Sequence, residues 1–142
     1  GSMGALRAAE LYPYGMIGVG KIFRYYRRGF INADDEVALI FDSETFTPYS
    51  EPLINLREGL FWAFKHHLID SGEYRQSMEH AKKQHYQERT LKSVLFTTFH
   101  KSKAEFLLQK LESNRIAWDL KAADARDTVM AIKQHLRQRT KE

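Results

Sequence analysis

The chain contains no cysteine, and that absence removes several chemistries at once. It can form no disulfide, present no thiolate nucleophile and hold no zinc through sulfur. A sulfurtransferase carrying persulfide on its own side chain is excluded too, so any sulfur chemistry must use sulfur borne by another molecule. Long apolar runs are missing: nothing approaches the ~18–20 residues that a membrane-crossing helix needs, and no signal-peptide pattern is seen. A cytoplasmic protein is expected. The six histidines show no H-E-x-x-H or comparable ligand spacing, and His80 and His85 would point to different faces of a helix. No metal and no cofactor is expected. There is no internal repeat and no low-complexity linker, so residues 1–142 are expected to be a single domain.

What is present argues for a packed core. Apolar residues make up 43% of the chain, with nine Phe, seven Tyr and two Trp, too many to stay in water as a disordered segment. The formal charge is +4 and the pI near 9.3. The excess is diffuse apart from Arg24, Arg27 and Arg28 and a basic tail over residues 133–141. Acidic residues stand between these two clusters, and so limited a signal favours solvated faces or an acidic protein partner over nucleic acid.

The spacing predicts a mainly α-helical (α+β) fold with one short antiparallel β element. An alanine-rich first helix stops at Tyr12-Pro13-Tyr14-Gly15. A second helix runs from Val19 to Arg28 and ends at Gly29. Val37–Phe41 is a short apolar run of strand length, expected to pair with Phe46–Tyr49 across a polar loop. Ser50 then reads as the N-cap of a helix whose apolar stripe extends from Leu53 to Leu68. Asp70–Glu73 and Ser102–Glu105 read as capping boxes opening helices over 73–86 and 103–113, with an amphipathic helix over 91–99 between them. A last helix, capped by Asp119, carries Ala125, Val129, Ile132 and Leu136 along one side.

Three stretches invite a chemical reading. Ser2 stands before a helix former, where unpaired amides and the helix dipole favour negative charge. It is either a nucleophile or an ordinary N-cap, and Arg7 with Glu10, three apart, is either part of a site or a surface pair. Gly15 to Lys21 satisfies G-x-x-x-x-G-K, but Ile22 replaces the Ser or Thr that holds magnesium and no strand precedes it. The glycines then serve close helix approach or positive φ. Asp34, Asp35 and Glu36 are either hard-cation ligands or a solvated acidic turn facing a basic partner.

SMGALRAAEL, GMIGVGKIF, DDEVA at 34–38, SEPLINLR at 50–57, ER at 88–89 and LKAADA at 120–125 occur in that order, and in them the chain resembles TfuA-like proteins. The resemblance implies a partner of YcaO enzymes, which thioamidate peptide backbones. It further implies a hydrolase that releases sulfide from a thiocarboxylated ThiS-like sulfur carrier through a Ser-Lys site. Ser2 matches the family serine, and the amides of Met3 and Gly4 would hold the oxyanion. Lys21 and Lys121 lie in matched motifs and are the candidate bases, unless the base lies upstream. Arg7, Glu10, Asp34, Asp35, Glu36, Glu51, Asn55, Arg57 and Arg89 are the polar residues expected to contact substrate or partner. A core-anchoring arginine remains the alternative for Arg57. The resemblance implies a further αβ segment ahead of the serine motif, against which this chain reads as a fragment, a short homologue or a sequence with a mispredicted start. Gly1-Ser2 before a methionine is equally the remnant that tag cleavage leaves. The alternative function is a non-catalytic adaptor that holds YcaO, peptide or sulfur carrier. Neither reading specifies the peptide or the oligomeric state.

Overall fold

The computed structural model describes residues 2–139 and, of Ser2, the backbone alone. The helices are α1 (Ser2–Leu11), α2 (Lys21–Arg27), α3 (Leu53–Lys65), α4 (Ser71–Lys83), α5 (Leu91–Thr98), α6 (Lys101–Ser113) and α7 (Leu120–Arg139). Single 3-10 turns stand at Tyr12–Tyr14, Asp34–Glu36 and Arg115–Ala117. The chain divides into two compact units. The first unites Gly1–Glu36 with Leu120–Glu142, and the second is Val37–Asp119. Among the described residues no helix is long and apolar enough to cross a membrane.

The second unit is a helical layer built on the stripe of α3. Leu53, Leu56, Leu60 and Ala63 recur at three- and four-residue spacing and are buried against Ala81, Val94, Leu95, Leu107 and Leu111. Each leucine so covered contributes ~1.5–3 kcal/mol of transfer free energy. Trp118 closes one end of this core, its indole N–H donating to the Leu111 carbonyl at 2.9 Å.

Helix boundaries follow side-chain chemistry. Asp70 and Glu73 form the expected capping box, with bonds of 2.8 and 2.9 Å. α5 opens on a second box, Thr90 with Ser93, that the sequence reading passed over. The predicted box at Ser102 is not formed. His100 caps α6 instead, its ring nitrogen accepting from the Lys103 amide at 3.3 Å, while the Ser102 hydroxyl lies 3.1 Å from that same nitrogen. Ser50 does not cap α3 either. Its hydroxyl accepts from the Ile40 amide at 2.8 Å, and Pro52 occupies the cap position. α3 stops at Lys65 rather than reaching Leu68, because His67 turns left-handed at φ 57°. The His67 amide donates to Phe64 O at 3.0 Å and that of Leu68 to Ala63 O at 2.9 Å, which folds Leu68 back toward the core.

The predicted antiparallel β element is a correction. Among the described residues there is no strand, only an isolated antiparallel bridge between Phe41 and Pro48. The reason is local. Asp42 Oδ1 accepts from the amides of Glu44 and Thr45 at 2.9 and 2.8 Å, the Ile40 amide goes to Ser50, and Pro48 has no N–H to extend a ladder.

In the first unit α1 packs on α2, and α7 touches both. Ala5, Ala8, Ile22, Phe23 and Tyr26 are buried. α2 is shorter than the expected 19–28 and is stopped by Gly29 at φ 71°, where the amides of Gly29 and Phe30 reach Tyr26 O and Tyr25 O at 3.0 Å. The glycine-rich entry turns the chain: Gly15 is left-handed at φ 91°, and a Cβ on Gly18 would meet the Phe23 ring at 2.1 Å. A helix and a 3-10 turn precede it, so the phosphate-loop geometry does not arise. The apolar side expected on the last helix faces outward. Ala125, Val129, Ile132 and Leu136 are exposed, and the buried residues of α7 are Leu120 and Asp124.

A non-glycine residue in the left-handed region costs ~1 kcal/mol. His67→Gly is therefore expected to stabilise the protein by about that amount, seen as a higher urea midpoint; an unchanged or lower midpoint contradicts the account of how α3 ends.

Candidate functional site

The first unit is organised around a carboxylate. Asp124 on α7 accepts from the backbone amides of Lys21 and Ile22 at 2.9 and 2.7 Å, which are the first two amides of α2. A helix start leaves these donors without carbonyls of their own, and the dipole there favours a negative charge. Asp124 is 6% exposed, so the bond from Ile22 is buried and that from Lys21 partly so. Gly20, at φ 98°, makes the approach possible: a Cβ there would stand 2.4 Å from the Asp124 carboxylate.

Both candidate lysines flank this junction. Lys21 supplies one of the bonded amides, and its ammonium lies 5.1 Å from the Tyr25 ring centroid. Lys121 stands in the first turn of α7, three residues ahead of Asp124, and is half-buried. Ser2 is the first residue of α1, so its backbone is already helical rather than one place outside. Its hydroxyl, the proposed nucleophile, lies outside the described residues. Met3 and Gly4 occupy the opening turn of α1, where amides have no carbonyl four residues back within the helix. Arg7 Nη1 pairs with Glu10 Oε2 at 2.6 Å on the exposed face of the same helix, an arrangement worth ~0.2–0.5 kcal/mol.

The acidic triplet forms a 3-10 turn, with Glu36 buried, Asp35 half-buried and Asp34 exposed. Among the described residues no group of three or more His, Asp or Glu is arranged to hold a metal ion. The triplet instead acts on Tyr26, whose hydroxyl donates to Ala33 O at 2.8 Å. Burial, then the charges of Glu36, Asp34 and Asp35, push that phenol up to about 12.

The polar residues of the 50–57 and 88–89 motifs meet inside the second unit. The Glu51 amide donates to Arg89 O at 2.7 Å, and Arg89 Nε returns a bond to Glu51 O at 3.3 Å. Asn55 Nδ2 donates to Glu51 Oε1 at 3.0 Å and to Asp119 Oδ1 at 2.9 Å. Arg115 Nη2 pairs with Glu51 Oε2 at 2.8 Å, and the guanidinium carbon lies 4.7 Å from the Trp118 ring centroid. Burial opposes the Arg115 charge, but hydrogen bonds to Glu112 and Glu51 outweigh it and hold the group protonated. Glu51, Asn55 and Arg89 are all buried, so what they demonstrably do is tie the 50–52 segment to the start of α5 and to the turn after α6. Arg57 is half-buried on α3.

Asp124, Arg115 and Asp119 are the residues the sequence reading missed as site members. Asp124 lies inside the quoted LKAADA stretch, so the signal was present, but its partners are 102 and 103 positions away.

Residues 1–90 match the family profile described as TfuA-like protein, more than half of the chain. The chain belongs to the TfuA-like family. Comparison with curated proteins finds no match. The matched span of this TfuA-like protein contains α1, the glycine-rich entry, the acidic turn and the Glu51–Arg89 pair, whereas the LKAADA stretch with Asp124 falls beyond it.

Two outcomes test these arrangements in the TfuA-like protein. Asp124→Ala strands one buried and one partly buried amide and is expected to cost ~1–3 kcal/mol in urea unfolding, with Asp124→Asn costing less; equal and negligible losses contradict the junction. A phenol whose folded pKa is raised stabilises the fold below its ordinary value near ~10 and loses that contribution as the pH rises through the folded value. Titration at 295 nm is thus expected to show a late tyrosine at about 12 that disappears in Tyr26→Phe.

Proposed function

We propose that this TfuA-like protein is an accessory to YcaO-dependent peptide backbone thioamidation, releasing sulfide from a thiocarboxylated ThiS-type carrier. Family membership supports the partnership. What supports the chemistry is the Asp124 junction, where the Lys21 amide bonds a carboxylate three residues beyond Lys121, in the unit that also contains α1.

In this reading Ser2 Oγ attacks the carbonyl carbon of the thiocarboxylate while a neutral lysine takes the hydroxyl proton. The amides of Met3 and Gly4 hold the oxyanion. Collapse of the tetrahedral adduct breaks the C–S bond, and hydrosulfide leaves with the electron pair. Water then cleaves the acyl-serine ester, restoring the hydroxyl and releasing the carrier as its carboxylate. No cofactor is required, and the missing cysteine is consistent with sulfur that arrives and departs on other molecules.

Incubation with a thiocarboxylated ThiS-type carrier is expected to release sulfide, with Ser2→Ala lowering the rate by about a hundredfold or more. A rate untouched by Ser2→Ala overturns the nucleophile. No sulfide release, combined with co-elution of the chain with YcaO, leaves the non-catalytic adaptor as the function.

A further inference from the structure

The length of α7 is out of proportion to what it buries. It packs on α1 and α2, with Leu120 and Asp124 buried in its first turns, but Val129, Ile132 and Leu136 stay 51%, 54% and 59% exposed. With 100° per residue these three fall within one narrow strip of the helix, and Arg126, Lys133 and Arg137 form a second strip directly beside it. Lys133 and Arg137, with Arg24 of α2, also line a groove of about 720 Å³ along that flank. The whole +4 excess of the chain falls in this unit, while the charges of the other unit balance.

We propose that α7 docks an acidic amphipathic helix of a partner protein, whose apolar residues cover Val129 and Ile132 and whose carboxylates meet Lys133, Arg137 and Arg24. The 4-3-4 spacing of Ala125, Val129, Ile132 and Leu136 is that of a two-helix seam, and Arg126 and Lys133 stand at the flanking positions that select a partner by charge. A second copy of this chain is a poor occupant. Antiparallel, it sets these cations against themselves; parallel, it sets Arg126 against Lys121 and Lys133 against Thr128 and forms no ion pair. A membrane surface fits less well, because the strip of Ala125, Val129, Ile132 and Leu136 has no aromatic residue. The proposal goes beyond sulfide release and stands or falls separately from it, since it involves neither Ser2 nor the lysines beside Asp124.

The probe is a fluorescein-labelled synthetic peptide of three heptads, leucine at the seam positions and glutamate at the flanking ones, titrated with the full chain by anisotropy. Its lysine-flanked counterpart is titrated in parallel. Saturable binding of the glutamate peptide is expected, weakened about tenfold or more by Lys133→Glu with Arg137→Glu and likewise by Val129→Asp with Ile132→Asp. The charge-reversed variant is expected to gain the lysine peptide. All substituted side chains are exposed, and unchanged circular dichroism checks that the fold persists. Absence of binding, binding insensitive to both pairs of substitutions, capture by phosphatidylserine vesicles but not by the peptide, or a dimer in light scattering that Ile132→Asp dissolves would each overturn it.

Discussion

One buried carboxylate joins the two ends of this chain. Asp124 receives the first two amides of α2 from more than a hundred residues away, and the unit it closes is discontinuous, with residues 37–119 inserted between its parts. Loop closure over such a distance costs entropy only logarithmically. A charge-assisted pair of hydrogen bonds at a helix start, sheltered from water, is among the stronger local devices for offsetting it. Gly20 follows from the same constraint, since only a residue without Cβ leaves room for the carboxylate.

The second unit solves a similar problem by a different route. Its helices are held by aliphatic burial, and the one polar knot, Glu51 with Asn55, Arg89, Arg115 and Asp119, anchors the irregular segment that enters α3. Buried ions of this kind are retained only when their bonds are nearly complete, because an unsatisfied charge there costs several kcal/mol. Motif residues that look like binding groups in a sequence are, in this unit, structural ties. The first unit holds Ser2, Lys21, Lys121 and the acidic turn, to which the proposed chemistry is assigned, together with the exposed cationic helix.

Legibility tracked the range of the physics involved. The stripe of α3, the Asp70–Glu73 box and the stop at Gly29 depend on neighbours within a few residues, and all were readable. The β element failed because its hydrogen bonds were claimed by side chains, Ser50 for one amide and Asp42 for two more, a competition that apolar patterning does not encode. The caps at His100 and Thr90 were missed for a related reason: several polar residues precede each helix, and geometry selects among them. The stripe on α7 was real as a pattern, yet periodicity cannot tell a face that meets a core from one that meets solvent.

By itself the sequence determined the helical character, the excluded sulfur chemistries and the family, since these rest on composition, short-range spacing and contiguous motifs. Only the tertiary structure decided that the glycine-rich entry and LKAADA meet at Asp124, that Glu51, Asn55 and Arg89 turn inward, and that the apolar side of α7 stays in water. The physical reason is common to all three. A hydrogen bond or a buried face belongs to a pair of distant surfaces, and one-dimensional order states what each residue offers but not which partner the fold brings within 3 Å of it.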